Sequence, residues 1–219
     1  MIDGYVMSIF GQRGTGKSTL MDELIKPLNH VILFDFLGTR KPSADKLGMV
    51  HTKSCLQAID IMKANYGRGV KIWYQPPPDP KGQQEALSVL SHMIWDMQQK
   101  QYDKTGDAAN ITLAVDEMST SFPVLKLKDG LDGFNLLLTG GRHYGVNIIG
   151  ASQRPAQVGK EFTSAAEVKF FLQLSEPLDL NVVGLTAGKP TIETVRNLQT
   201  LEYVRYQKGS ISTGKTHFL

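Results

Sequence analysis

The sequence predicts a three-layer α/β fold, with a mainly parallel central sheet between two layers of helices. Short apolar runs alternate with amphipathic helical patterns along most of the 219 residues, and this alternation is typical of a parallel sheet. The run 111–115 is almost continuously apolar, as expected for a strand that is covered on both faces. Two later strand-like runs flank Lys208-Gly209, which predicts a closing β-hairpin. No linker or repeat divides the chain, so residues 1–219 are expected to form a single domain.

The individual elements follow from the spacing of apolar residues and from the breakers between them. Strands are expected at 5–10, 30–35, 70–74, 111–115, 146–151 and 168–174, followed by hairpin strands at 201–206 and 210–218. Helices are expected at 18–26, 54–66, 83–101, 134–143, 178–185 and 192–198. Glycine, proline and basic residues predict an exposed loop at 37–46 and irregular chain at 119–133.

A glycine-rich loop between the first strand and the first helix is the strongest functional signal. Residues 11–18 read Gly-Gln-Arg-Gly-Thr-Gly-Lys-Ser, which fits the phosphate-loop pattern in its required strand–loop–helix setting. The glycines let backbone N–H groups surround a phosphate, and the helix beginning near Lys17 directs its positive end at the same anion. Lys17 is expected to reach the β- and γ-phosphates of ATP, and the Ser18 hydroxyl to bind Mg²⁺. The residues expected to bind the nucleotide are Gly11, Gln12, Arg13, Gly14, Thr15, Gly16, Lys17, Ser18 and Thr19.

Residues 209–216 match the same pattern letter for letter and provide an internal control. Only His217, Phe218 and Leu219 follow them, so no helix is expected to present N–H groups to a phosphate there. The second match is therefore interpreted as a glycine turn and a closing strand. The strand and helix around residues 11–18 argue against the same interpretation of the first match, a turn with a chance Gly-Lys-Ser.

The composition predicts a soluble cytoplasmic protein without a disulfide or a multi-thiolate metal site. The formal net charge of +3 allows a nucleic-acid partner without requiring one. Cys55 is the single cysteine, and the five histidines show no metal-ligand spacing. No apolar run approaches the roughly 18 residues needed to span a bilayer, and the start lacks the pattern of a signal peptide.

Two acids, Asp116 and Glu117, follow the apolar run 111–115 and are expected at the tip of its strand. ATP hydrolysis needs a carboxylate to fix Mg²⁺ and a base to deprotonate the attacking water. We expect Asp116 to hold the metal through its waters and Glu117 to act as the general base. The alternative is a solvated acidic turn or a helix N-cap.

Two further polar residues flank the expected strand 146–151. Gln153 follows this strand, where a neutral amide can hydrogen-bond the γ-phosphate or the attacking water and so sense hydrolysis. A polar residue that simply ends a strand is the alternative. Arg142 ends the preceding helix, where an arginine commonly complements the helix dipole. Its functional alternative is an arginine finger that enters a neighbouring subunit's site and neutralises transition-state charge.

Together, residues 11–18, residues 111–117 and the segment from Gly141-Arg142 to Gln153-Arg-Pro155 resemble the FtsK–HerA superfamily of DNA-pumping ATPases. The resemblance implies a RecA-like P-loop domain, with Arg142 as a finger acting in trans and Gln153 as the sensor. It covers nearly the whole chain, although the motifs are a small part of it. Larger members carry membrane spans, a barrel or a DNA-reading domain, for which this chain has no room.

A minimal domain of this size is most similar to the genome-packaging ATPases of viruses and phages. The resemblance implies a homo-oligomeric ring, expected to be a hexamer, that hydrolyses ATP to translocate double-stranded DNA into a capsid. It also implies capsid or packaging-vertex proteins as partners, and a location in the host cytoplasm or associated with the virion.

Basic loop residues are the candidates for DNA contacts, because a ring translocase grips phosphates at its pore without reading bases. Lys126 and Lys128, in the loop after Glu117, are the first candidates, and Arg40 and Lys41 are the second. Ordinary solvated basic residues would give the same pattern.

Three other functions stay open at this point. A P-loop kinase of small molecules would need acceptor-site arginines and a closing lid. A nucleotide-gated adaptor would barely hydrolyse ATP, although the set of Lys17, Asp116 and Glu117 argues against it. The third alternative keeps the DNA motor but uses it for conjugation or chromosome processing.

Overall fold

The structure is a computed structural model that describes residues 4–125 and 130–219. Within these ranges, nine strands form one sheet in the order β3-β4-β2-β5-β6-β1-β7-β8-β9. The strands are β1 (Val6–Phe10), β2 (His30–Phe34), β3 (Val50–Thr52), β4 (Val70–Tyr74), β5 (Ile111–Val115), β6 (Val146–Ser152), β7 (Val168–Phe171), β8 (Glu202–Gln207) and β9 (Ser210–Lys215). The α-helices are α1 (Lys17–Ile25), α2 (Lys41–Lys46), α3 (Cys55–Ala64), α4 (Pro80–Thr105), α5 (Met118–Ser121), α6 (Gly133–Gly140), α7 (Lys160–Ala165), α8 (Pro177–Ala187) and α9 (Pro190–Arg196).

The sheet is mainly parallel and ends in an antiparallel hairpin. All pairings from β3 across to β7 are parallel. β8 is antiparallel to β7, and β9 is antiparallel to β8. The turn between β8 and β9 contains Gly209 at a φ of 82°, where glycine is favoured because it lacks a Cβ. The expected parallel sheet and closing hairpin are confirmed, and the second phosphate-loop match lies in this hairpin.

The hydrophobic core lies on both faces of the sheet. Along β2, Ile32 and Phe34 belong to one part of the core, whereas Val31 and Leu33 belong to the other. This division follows the two-residue period of a strand. Residues of α1 and α2 cover one face, and residues of α3, α4, α6, α7, α8 and α9 cover the opposite face. The three-layer arrangement is therefore confirmed.

Several elements differ from those expected. Residues 41–46 form α2 where an exposed loop was predicted. β3 was not predicted, because three residues at the edge of a sheet are too few to show a period. Helix α4 begins at Pro80, three residues before the expected start at 83, because the Asp79 side chain caps the helix and proline fits the first helical position. None of the described helices has the length and apolar character needed to cross a membrane.

The strand register brings the functional candidates to the same end of the parallel strands. Phe34 of β2 lies beside Val115 of β5, and Val115 lies beside Gly150 of β6. Phe10 of β1 lies beside Ser152 of β6. The segments that follow these strands therefore emerge side by side at the carboxyl ends of the strands, where parallel α/β sheets bind ligands.

Candidate nucleotide-binding site

The loop between β1 and α1 is shaped to surround an anion. Gly14 and Gly16 have φ angles of 81° and 107°, a region that L side chains rarely adopt. Gly16 precedes α1 and has no side chain with which to cap it, so the first N–H groups of the helix face the loop. A Cβ on Gly16 would also lie 2.7 Å from Cδ2 of Leu201. The loop can therefore present backbone donors and a helix dipole to a phosphate.

Lys17 folds back across this loop. Its Nζ donates a hydrogen bond to the Gln12 carbonyl, at 3.0 Å. Gln12 is itself fixed to the segment after β7, because its backbone N–H donates to the Gln173 carbonyl at 2.9 Å. Burial lowers the pKa of Lys17, while the charges of Glu117 and Asp116 act in the opposite direction. The ammonium is thus held at the centre of the loop, where it would contact phosphate oxygens.

The Glu117 carboxylate faces the phosphate loop from across one strand. β6 separates β5 from β1, so about 10 Å of sheet lies between Glu117 and the loop. Oε1 of Glu117 accepts hydrogen bonds from the hydroxyls of Ser119 at 2.8 Å and Ser152 at 2.6 Å. Oε2 accepts from the side-chain amide of Gln153 at 3.2 Å and from its backbone N–H at 3.3 Å. These donors fix the direction of the carboxylate.

Asp116 forms an ion pair with Arg40. The Arg40 guanidinium also pairs with Asp22 of α1 and donates to the Ser18 carbonyl at 3.1 Å. The Arg40 backbone N–H donates to Oδ2 of Asp35 at 2.9 Å. Arg40 is only 3% exposed. The prediction of Arg40 as a DNA contact on an exposed loop is therefore wrong, because carboxylates inside the protein take up its charge.

Of the other basic candidates, the structure describes only Lys41. Lys41 is exposed and pairs with Asp45 on the surface at 2.8 Å, and its contact with DNA stays a prediction. Lys126 and Lys128 lie outside the described residues.

Arg142 lies in a short 3₁₀ helix, 141–144, at the amino end of β6. A seven-residue strand separates this end from Gln153, which corresponds to about 20 Å. The guanidinium is half exposed and lies 3.7 Å from the carboxylate of Glu167, which precedes β7. Arg142 therefore lies at the amino ends of the parallel strands and the phosphate loop at their carboxyl ends, so Arg142 does not reach the site of its own chain.

A cleft of about 660 Å³ connects the loop with the acidic residues. Its walls include Lys17, Ser18, Asp116, Glu117 and Gln153. The Ser18 hydroxyl and the Asp116 carboxylate supply the hard oxygen ligands that Mg²⁺ prefers. Within residues 4–125 and 130–219, no group of three His, Cys, Asp or Glu residues is arranged to hold a metal. The Ser18 and Asp116 oxygens would leave the other positions around a divalent cation to phosphate oxygens and water, as Mg²⁺ commonly binds nucleotides.

Sequence reasoning missed several residues that build this site. Ser152 reaches Glu117 because the register of β5 and β6 continues beyond Val115 and Gly150. A serine at the end of a strand gives no signal until its neighbouring strand is known. Arg154 lines the same cleft, and its Nε contacts the buried Asp179 at 2.9 Å.

No protein-family model and no curated protein sequence matches the chain. Solved structures match over nearly its whole length. The DNA-packaging ATPase B204 from Sulfolobus turreted icosahedral virus aligns with a TM-score of 0.70 at 19% identity, covering 99% of this chain and 100% of that chain.

The genome-packaging NTPase B204 from Sulfolobus turreted icosahedral virus 2, in complex with AMPPCP, gives a TM-score of 0.70 at 16% identity, covering 98% of both chains. VirB4 of Thermoanaerobacter pseudethanolicus gives 0.65 at 12% identity, covering 98% of this chain and 90% of that chain. The chain therefore has the P-loop ATPase fold of these proteins, which is the fold that the resemblance to the FtsK–HerA superfamily implied.

Proposed function

We propose that this chain is an FtsK–HerA-type ATPase that translocates double-stranded DNA as a ring, in the role of a viral or phage genome-packaging ATPase. One observation carries the ATPase part of the proposal: a phosphate loop and a hydrogen-bonded glutamate face the same cleft from two strands that are separated by β6. The likeness in fold to a DNA-packaging ATPase supports the DNA-translocating part.

In this proposal, the loop residues 11–19 and the α1 dipole bind the phosphates of ATP, and Lys17 pairs with the β- and γ-phosphates. Ser18 and Asp116 would hold Mg²⁺, which supplies charge neutralisation between the phosphates when it is bound. Glu117 takes the proton from the attacking water. The intervening strand leaves room beside Glu117 for this water and the γ-phosphate.

Gln153 is proposed as the residue that senses the γ-phosphate. Its side-chain amide donates to Oε2 of Glu117 at 3.2 Å, so it contacts the proposed base directly. A γ-phosphate or water in the cleft would compete for the same amide donor. Its loss after hydrolysis would therefore alter the contact between Gln153 and Glu117, at the carboxyl end of β6.

Arg142 is proposed as a finger for the site of a neighbouring subunit in a ring, expected to be a hexamer. The position supports this role, because Arg142 is half exposed at the amino ends of the strands, whereas its own phosphate loop lies at their carboxyl ends. The weak contact with Glu167, at 3.7 Å, would be exchanged for γ-phosphate oxygens. Lys41, together with Lys126 and Lys128, is proposed to contact DNA phosphates, and capsid or packaging-vertex proteins are the proposed docking partners.

The experiment that tests this function measures ATP hydrolysis with and without long double-stranded DNA, at concentrations that allow a ring to form. We expect DNA to stimulate the wild-type rate, and Arg142→Ala to lower the stimulated rate at least about a hundredfold. The matched control is Arg68→Ala, since Arg68 is an exposed arginine just before β4 and so lies, like Arg142, at the amino ends of the parallel strands. A DNA-independent rate that Arg142→Ala leaves unchanged would contradict the ring motor.

A second, more apolar cleft indicates which way the nucleotide lies. It has a volume of about 240 Å³, shares Gly14, Lys17 and Ser18 with the first cleft, and is also lined by Leu201 and Phe218. Because Glu117 must face the γ-phosphate in the first cleft, the nucleoside would extend into the second.

The tail that carries Phe218 is held to α1 by the Thr216 hydroxyl, which donates to Oε2 of Glu23 at 2.6 Å. We infer that the adenine packs against the Phe218 ring, which is 76% exposed.

Phe218→Ala is therefore expected to weaken ATP binding about tenfold, since stacking on an aromatic ring contributes on the order of 1–3 kcal/mol per base. Binding of inorganic tripolyphosphate, which has no base, should stay unchanged. Titration calorimetry with both ligands measures the difference, and Phe218→Trp should retain ATP affinity. An equal loss for both ligands would show that Phe218 supports the loop instead of the base.

A further inference from the structure

Arg40 occupies a position between the two residues proposed to hold Mg²⁺. Its Nη1 pairs with Oδ1 of Asp116, and its Nη2 donates to the carbonyl of Ser18 at 3.1 Å. Nη2 also pairs with Oδ1 of Asp22, one turn further along α1. One guanidinium therefore joins the helix that follows the phosphate loop to the acidic end of β5.

The charges around Arg40 make it the local counterion of the site. Asp22 and Asp35 are buried, and burial raises the pKa of both carboxyls, whereas the Arg40 charge acts to lower it. The Asp116 side chain is more open, at 16% exposure compared with 4% for that of Arg40. Asp116 is thus the member of the cluster that faces the cleft, and it can turn away from Arg40 without leaving a fully buried charge.

Most of the hydrogen bonds that hold Arg40 do not involve Asp116. Its backbone is fixed to Asp35 and its Nη2 to Asp22 and Ser18. Among the described residues, none accepts a hydrogen bond from its Nε. If Asp116 turned towards a metal, Asp22 would still neutralise the guanidinium, so the release of Asp116 would not leave Arg40 as an unpaired buried cation.

We propose that Arg40 is a positioning residue that competes with the divalent cation for Asp116 and thereby sets the metal dependence of nucleotide binding. Without metal, Arg40 holds the Asp116 carboxylate and neutralises its charge. With metal–ATP bound, Asp116 would turn from Arg40 towards the metal, and Arg40 would stay paired with Asp22 and Ser18. This inference rests on the proposed ATP site.

The measured quantity is the affinity for a fluorescent ATP analogue in saturating Mg²⁺, divided by its affinity in chelator. Removal of the Arg40 charge frees Asp116 for the metal and leaves the unpaired Asp116 charge to repel metal-free ATP. Arg40→Gln should therefore raise this ratio about tenfold and lower the Mg²⁺ concentration at half-saturation. Arg40→Lys keeps the charge and should restore the ratio to within about threefold of wild type.

Lys63→Gln is the control for net charge, because Lys63 is an exposed lysine on α3, outside the site. If Arg40→Gln alone does not fold, the double variant Asp22→Asn/Arg40→Gln removes the buried pair together and should show the same raised ratio. A residue with only a structural role would change both affinities alike, so an unchanged or lower ratio would overturn the inference. Absence of metal-dependent binding in the wild type would instead contradict the proposed ATP site itself.

Discussion

Replacing Glu117 by glutamine is expected to lower the rate of ATP hydrolysis by two to four orders of magnitude and to leave ATP affinity within about threefold of wild type. Glutamine keeps the size of the side chain but cannot accept the proton of the attacking water. Five donors from Ser119, Ser152 and Gln153 converge on the Glu117 carboxylate and hold it in place, and one of them is the Ser119 backbone N–H, through which Glu117 caps α5. Single-turnover phosphate release and equilibrium binding of ATP measure the two quantities separately.

Glu85→Gln is the matched control for this substitution, because it makes the same chemical change at an exposed ion pair of α4 with Lys81. Its hydrolysis rate should equal that of the wild type. If Glu117→Gln also hydrolyses ATP at the wild-type rate, Glu117 is not the general base. A wild-type protein that binds ATP without hydrolysing it would favour the nucleotide-gated adaptor.

Gly133→Ala is expected to destabilise the fold by about 3 kcal/mol, because a side chain cannot fit where α6 meets α4. A Cβ at Gly133 would lie 2.1 Å from the Ser88 carbonyl oxygen, which is backbone and cannot turn aside. The Gly133 N–H also donates to the Ser88 hydroxyl at 3.1 Å, which fixes the approach. For a chain of this length, the expected fall in Tm is roughly 6–12 °C. Thermal unfolding followed by circular dichroism measures it.

Gly67→Ala provides the comparison, since nothing lies within 4 Å of the Cβ that it would add. The free energy of unfolding of this variant should lie within about 1 kcal/mol of the wild-type value or slightly above it, because alanine restricts the unfolded chain. An equal Tm for Gly133→Ala and wild type would show that α4 and α6 are packed less closely than the structure indicates. Because α6 leads into the turn that carries Arg142, Gly133→Ala should also impair DNA-stimulated hydrolysis.

The fold class and the phosphate loop could be predicted from the amino-acid sequence alone. Residues 11–18 carry a local signal, because the glycines, Lys17 and the start of α1 act through backbone geometry within a few residues. The buried strands could also be predicted, since both faces of β5 are covered and four of its five residues, all except Thr112, are accordingly apolar. The short elements β3 and α5 could not, because three or four residues do not establish a period.

The burial and pairing of the charged residues could not be predicted from the sequence, because they depend on contacts between distant parts of the chain. In the sequence, Arg40 and Lys41 are adjacent basic residues in a polar segment, and both were predicted as DNA contacts. Arg40, the residue before α2, is buried between Asp22 of α1 and Asp116 after β5, whereas Lys41 pairs with Asp45 at the surface. The partners of Arg40 lie 18 and 76 residues away in the chain. A long-range ion pair of this kind depends on strand order and register, which no local pattern encodes.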